Sequence, residues 1–216
     1  MKKLTIKVLK EEAKKFAQRE STHEEASIFR VTDGKAVGTY LEHKFQSYLQ
    51  EKYSFLKGNS ATGIDFPALK VDIKVTSIIQ PQSSCPFKSA RQKIYGLGYS
   101  LLVFIYRKQD NEKTKKAKLN IHHTIFVDKT RTADFQLTTA INTILDHNGN
   151  KDDLLSLFTD KNLPVDDIAA NNLADEILKN RPAIGYLTIS NALQWRLQYT
   201  RIIELASKVD GIYKLV

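Results

Sequence analysis

The chain has 216 residues, of which 33 are Lys or Arg and 24 are Asp or Glu, for a formal net charge of +9 at neutral pH. That length suffices for one large domain, or a domain with an appendage, and the basic balance favours a polyanionic partner, nucleic acid first. No apolar run approaches the ~20 residues that span a bilayer, and the single cysteine, Cys85, excludes an intrachain disulfide and a cysteine-rich zinc site.

The opening MKKLTIKVLKEEAKKF is too interrupted by charge for a secretory signal, so a cytoplasmic protein is expected. Residues 8–19 have helical composition, and 21–25 reads as a break followed by another helix start. Residues 39–53 place Leu41, Phe45, Tyr48 and Leu49 at helical spacing, with Glu42 beside that apolar face. From 63 to 77 the chain reads GIDFPALKVDIKVTS, in which Gly63 permits a bend and Pro67 keeps the following residues out of ladder pairing. A strand follows, with Val71, Ile73 and Val75 on one face and Asp72, Lys74 and Thr76 on the other.

Helical signal returns at 88–97, after a loop containing Cys85. The apolar run at 99–107 suits a central strand, 109–118 is a charged hairpin tip, and 119–129 is another strand. A helix is expected over 134–146, where His147-Asn148-Gly149 acts as a stop rather than as part of a histidine-based nuclease site. From 151 the chain becomes helix-rich, with Ser190 capping a long helix through Lys208 and a possible strand after Gly211. The expectation is a mixed α/β core over 1–149 and a helical region over 150–216 that serves DNA recognition or dimerisation.

Four acidic-x-Lys triplets occur, beginning at Glu12, Asp33, Glu42 and Asp72, close to the number that composition alone would produce. Only Asp72-Ile73-Lys74 lies in a β-branched, strictly alternating run with a second carboxylate, Asp65, just upstream. Two carboxylates and a strand carbonyl suffice for Mg²⁺, which prefers oxygen ligands and keeps several waters. Asp65, Asp72 and the Ile73 carbonyl are the expected ligands. Lys74 is expected to reach the attacking water or the scissile phosphate, because hydrolysis of a phosphodiester needs water activation and charge neutralisation.

A helix with Glu42, then Asp65, then Asp72-Ile73-Lys74, then a helix and an apolar strand resembles the PD-(D/E)xK nuclease superfamily. The stretch QPQSSCPFKSARQKIYGLGYSLLVFIY is similar to type II restriction endonucleases, and the resemblance covers roughly residues 39–128. It implies a restriction-endonuclease-like core and a homodimeric enzyme using Mg²⁺, or Mn²⁺ in its place, to cut both strands of a short DNA sequence. It also implies a cognate DNA methyltransferase that protects the host. Asp65 and Asp72 match the family's metal ligands, Lys74 its lysine, and Glu42 its helix carboxylate, which assists through a water or a second metal. Where the family has Pro-Asp, this chain has Ile64-Asp65.

Ser77, Gln80, Gln82 and Ser84, past the catalytic strand, are candidates for contacts to phosphate or base edges. Lys88, Arg91 and Gln92 join them from the next helix, and Gln194, Arg196, Gln198 and Arg201 from the C-terminal one. Two readings stay open beside restriction: a repair or junction-resolving nuclease on the same core, and a non-catalytic DNA-binding regulator.

Overall fold

The computed structural model describes residues 2–58, 63–85, 88–190 and 195–216. After a two-residue strand β1 (Lys2–Lys3), helix α1 (Ile6–Glu20) starts where the Thr5 hydroxyl accepts the Val8 N–H. The helix expected after the break at 21–25 starts later, at Gly34. Strand β2 (Glu24–Glu25) instead pairs with residues 117–118, putting Glu24 opposite Lys118, and helix α2 (Gly34–Gln50) begins only at its Asp33 cap. Next come β3 (Tyr53–Ser54), β4 (Val71–Ser77), β5 (Gln82–Cys85), α3 (Arg91–Tyr95), β6 (Ser100–Asn111) and β7 (Lys116–Val127). Helices α4 (Phe135–Asp146), α5 (Lys151–Asp160) and α6 (Asp167–Lys179) follow. Strands β8 (Thr188–Ile189) and β9 (Trp195–Gln198), helix α7 (Thr200–Leu205) and strand β10 (Ile212–Lys214) close the chain.

The central sheet runs β10-β7-β6-β4, with β2 also on β7. β6 and β7 form an antiparallel hairpin, while β4 lies parallel to β6 and at the edge of the sheet. The apolar run of β6 divides by strand periodicity. Leu102, Phe104 and Tyr106 enter one core with α1 and α2, and Leu101, Val103 and Ile105 enter a second on the opposite face.

On the helical side, Phe45 packs 4.9 Å from Phe16 and 5.2 Å from Phe104, centroid to centroid. Two buried carboxylates of α1 then fix the rotation of α2. Glu12 accepts from Tyr48 Oη at 2.6 Å and Lys52 Nζ at 2.9 Å, and Glu20 from Tyr40 Oη at 2.9 Å and Lys44 Nζ at 3.0 Å. Each Tyr–Lys pair is four residues apart: Tyr40, Lys44 and Tyr48 lie on one face of α2, and Lys52, just past its end, continues that row. Because the earlier glutamate meets the later pair, the helices run antiparallel.

The opposite face is covered by a small sheet of order β5-β9-β8 and by α7, through Ile189, Leu197, Tyr199 and Ile202. The expected helix from Ser190 to Lys208 is therefore corrected to a strand followed by a six-residue helix. Its sequence W-R-L-Q-Y alternates with period two, and that periodicity prevails over the helix-forming tendency of Leu, Gln and Arg. The expected loop at 82–85 is likewise a strand, because β9 pairs with it: Gln82 opposes Gln198 and Ser84 opposes Arg196.

Helices α3 to α6 build a third cluster around Ile94, Ile141, Leu154, Phe158 and Ile177. The helical character expected over 150–216 thus holds through Lys179, after which strands return, β10 into the central sheet itself. The architecture is mixed α/β, as expected. No helix among the described residues is long and apolar enough to cross a membrane.

Candidate active site

The site forms where the segment 63–70 folds back on the open edge of β4. Phe66, 1% exposed, exchanges backbone hydrogen bonds with Val71 across a tight turn whose Pro67–Leu69 is a 3-10 helix and whose Lys70 is left-handed at φ 52°. Its ring packs 5.2 Å from Phe55, so the residue after Asp65 is anchored in the core. Gly63 has φ 60°, consistent with the bend expected there. Gly58 donates its N–H to the Asp65 carbonyl at 2.8 Å, and a Cβ at Gly58 would lie 1.8 Å from the Ile64 carbonyl oxygen. Only glycine permits this approach.

Asp65 is then held from three directions. Its Oδ2 accepts the Ile73 N–H at 2.7 Å, its Oδ1 accepts Gln46 Nε2 at 2.8 Å, and its own N–H points at Asp72 Oδ1 from 3.4 Å. Val71 and Ile73 are spent on the helical core, which turns Asp72, Lys74 and Thr76 to the other side of the strand. Lys74 Nζ stands 2.8 Å from Asp72 Oδ2 but off the line of a hydrogen bond, so this buried oxygen is charge-paired while accepting no hydrogen bond. Since the Ile73 N–H faces away from β6, the carbonyl of the same residue faces the same open edge.

Glu42, Gln46, Asp65, Asp72, Ile73 and Lys74 line one cleft of about 320 Å³, together with His43 and Gly58. Burial and the charge of Asp65 push the Glu42 carboxyl up to about 7, against the pull of Lys74. Burial, a hydrogen bond shared with Asp72 and the charge of Asp72 raise Asp65 as well, opposed by the Ile73 N–H and Lys74. Burial works against the Lys74 ammonium, yet the carboxylate of Asp72 outweighs it and holds Lys74 above its ordinary value. Lys74 is therefore a cation at neutral pH. Three crowded carboxyl groups and one ammonium form a site with surplus acidity, the electrostatic setting in which a hard cation is stabilised by oxygen donors. Among the described residues no three His, Cys, Asp or Glu side chains are spaced to share one ion. The donor set that fits is the Asp65–Asp72 pair with the Ile73 carbonyl, and Glu42 lies beside it.

Gln46 is a site residue that sequence reasoning missed, although its position one turn after Glu42 was a usable signal. Gly58 gave none, because its role depends on a contact with Ile64 made only by folding.

A second cavity of about 670 Å³ shares Glu42 and Lys74 with the cleft and brings together Ser77, Gln80, Gln82, Ser84 and Arg196. Gln198 is exposed on β9 beside them, and Lys88 is exposed beyond β5. Three other candidates are committed within the chain: Arg91 to Glu176 at 2.6 Å, Gln92 Nε2 to the Leu97 carbonyl at 3.2 Å, and Arg201 over the Phe135 ring at 3.8 Å. Gln194 lies outside the described residues. His147 ends α4 with its Nδ1 at the Thr143 carbonyl, and Asp146 pairs with Arg181, as a helix stop requires. Cys85 is buried, 3.8 Å from Tyr99 Oη, and burial raises its thiol.

The family model for type II restriction enzyme NspV matches residues 3–214. The type II restriction enzyme NspV of Nostoc sp. (strain ATCC 29411 / PCC 7524) is 64% identical over 209 residues, covering 97% of this chain and 95% of that protein. No solved structure matches. Matched by the family model along nearly its whole length and 64% identical to that enzyme, the chain belongs to the type II restriction enzyme NspV family.

Proposed function

We propose that the cleft at the edge of β4 cuts both strands of duplex DNA at a short specific sequence, with Mg²⁺, or Mn²⁺ in its place, held by Asp65, Asp72 and the Ile73 carbonyl. Membership of the NspV family makes the chain a type II restriction endonuclease, a site-specific deoxyribonuclease. The observation that carries the assignment of the cleft is the convergence of Asp65, Asp72 and Lys74 in one pocket with Glu42. When bound, the cation polarises the phosphate and lowers the pKa of a water.

The residues divide the remaining work. Gln46 and the Ile73 N–H fix both oxygens of Asp65, so this carboxylate is oriented before substrate arrives. Lys74, cationic and only 18% exposed, supplies positive charge at the scissile phosphate and favours hydroxide over water beside it. It does not accept the proton. Glu42, with its carboxyl near 7, is suited to take a proton from a water near neutral pH.

A two-fold homodimer presenting two such clefts fits cutting of both strands at a palindromic target. A methyltransferase of the same specificity would protect the host, and a cytoplasmic location follows from acting on DNA inside the cell. Incubation of plasmid DNA with Mg²⁺ or Ca²⁺ tests this reading. Discrete fragments are expected with Mg²⁺ only, with cleavage lowered by roughly a hundred-fold or more in Asp72→Ala and Lys74→Ala. Variants that cut like the parent would remove the cleft from the mechanism.

A further inference from the structure

We propose that the outward face of the β5–β9 ribbon reads base edges in the DNA major groove, with Arg196 on a guanine and Gln82 and Gln198 on an adenine. This rests on the reading of the chain as a sequence-specific endonuclease. The pairing register supplies the surface. Gln82 opposes Gln198 and Ser84 opposes Arg196, and residues directly opposite or two apart on a strand share a face. The alternate residues, Cys85, Leu197 and Tyr199, are buried in the core beneath the central sheet. The four polar side chains therefore form one patch on a rigid backing. On its other side β9 is flanked only by the two-residue β8, which sets Thr188 opposite Gln198, so β5 and β9 present the patch as a narrow β-ribbon. A β-ribbon fits the major groove, where Arg makes a two-pronged contact to guanine and Gln to adenine.

The ribbon is also tied to the cutting strand. Thr76, on β4 and 5% exposed, accepts the Gln82 N–H at 3.0 Å, with the Gln80 and Gln82 carbonyls also within reach of its hydroxyl. Tyr199 donates its N–H to the Pro81 carbonyl at 2.8 Å and shares a hydrogen bond with the Ser83 hydroxyl. The large cavity runs from Glu42 and Lys74 along this connection to Gln82, Ser84 and Arg196, so a duplex seated there meets the ribbon and the cleft together. Arg91 and Arg201, by contrast, are spent on Glu176 and Phe135. The Gln–Gln and Ser–Arg pairs are two strand residues apart, about 7 Å, a distance of about two base-pair steps. The A·T and G·C pairs they read are thus near neighbours in the target.

The test is selection from a random duplex library in Ca²⁺, using Lys74→Ala as a non-cutting background. The parent is expected to select one sequence. Adding Arg196→Ala or Arg196→Lys should lower discrimination at one G·C pair by roughly ten- to a hundred-fold, because a lysine keeps the charge but not the fork. Gln82→Ala or Gln198→Ala should do the same at an A·T pair within about two steps. Folded variants, verified by unchanged melting, that select the parental sequence with undiminished discrimination overturn the ribbon's role alone. A parent that binds DNA without any preferred sequence overturns the specific-endonuclease reading and the ribbon with it.

Discussion

Lys74 and Glu42 are paired opposites: the site keeps its lysine charged and lets its outlying glutamate hold a proton near neutrality. That arrangement has a measurable sign. Glu42 titrates near 4.5 when unfolded and about 7 when folded, so the folded metal-free protein binds the extra proton between those values. Stability from this group is present below about 4.5 and is lost as pH rises towards about 7. The melting temperature of metal-free protein should therefore fall more steeply over that window in the parent than in Glu42→Gln. Equal slopes would show that Glu42 does not carry the proton. Asp65, raised by burial and by Asp72, adds to the same trend in both proteins. At this scale the sequence was informative about acids and lysine, because their alternation and spacing are local. It was silent on Gln46 only for want of following Glu42 one turn further.

At the scale of elements, the turn 63–70 and the glycine before it decide whether the acids meet. Gly58→Ala forces a shift of Ile64 and Asp65, since its Cβ has 1.8 Å of room. Cleavage in Mg²⁺ is expected to drop roughly a hundred-fold from this misplacement, with DNA binding in Ca²⁺ retained. Cleavage at the parental rate would mean that the backbone contact does not position the carboxylate. Most elements were legible where one periodicity ran unopposed, as in β6, β7 and α4. Two were not. β5 exists because β9 pairs with it, a partner more than a hundred residues away in sequence, and β9 was obscured by residues of good helix propensity set in a strand alternation. Of the DNA-contact candidates, Gln82, Ser84, Arg196 and Gln198 consequently come together on β5 and β9, whereas Arg91, Gln92 and Arg201 sit on other elements with partners within the chain.

For the whole molecule, the clamps between α1 and α2, the central sheet and the covering β5–β9 strands place Glu42, β4, Gln82, Ser84 and Arg196 around one continuous cavity. The basic balance and the mixed α/β class were plain from composition and pattern, whereas the three-layer stacking depends on contacts between distant segments. One bond in this assembly has a second consequence. β4 ends the sheet, and an edge strand with free amides is a template for another chain. The Asp65 carboxylate occupies the outward Ile73 amide at 2.7 Å, on a strand rich in valine and isoleucine. The Asp65 carboxylate is thereby expected to guard the protein against self-association. Heated below its melting point, Asp65→Ala should aggregate faster, as followed by light scattering, than Asp65→Asn, whose side-chain carbonyl still caps that amide. A chemical group retained for cutting DNA would then also be what keeps the molecules apart.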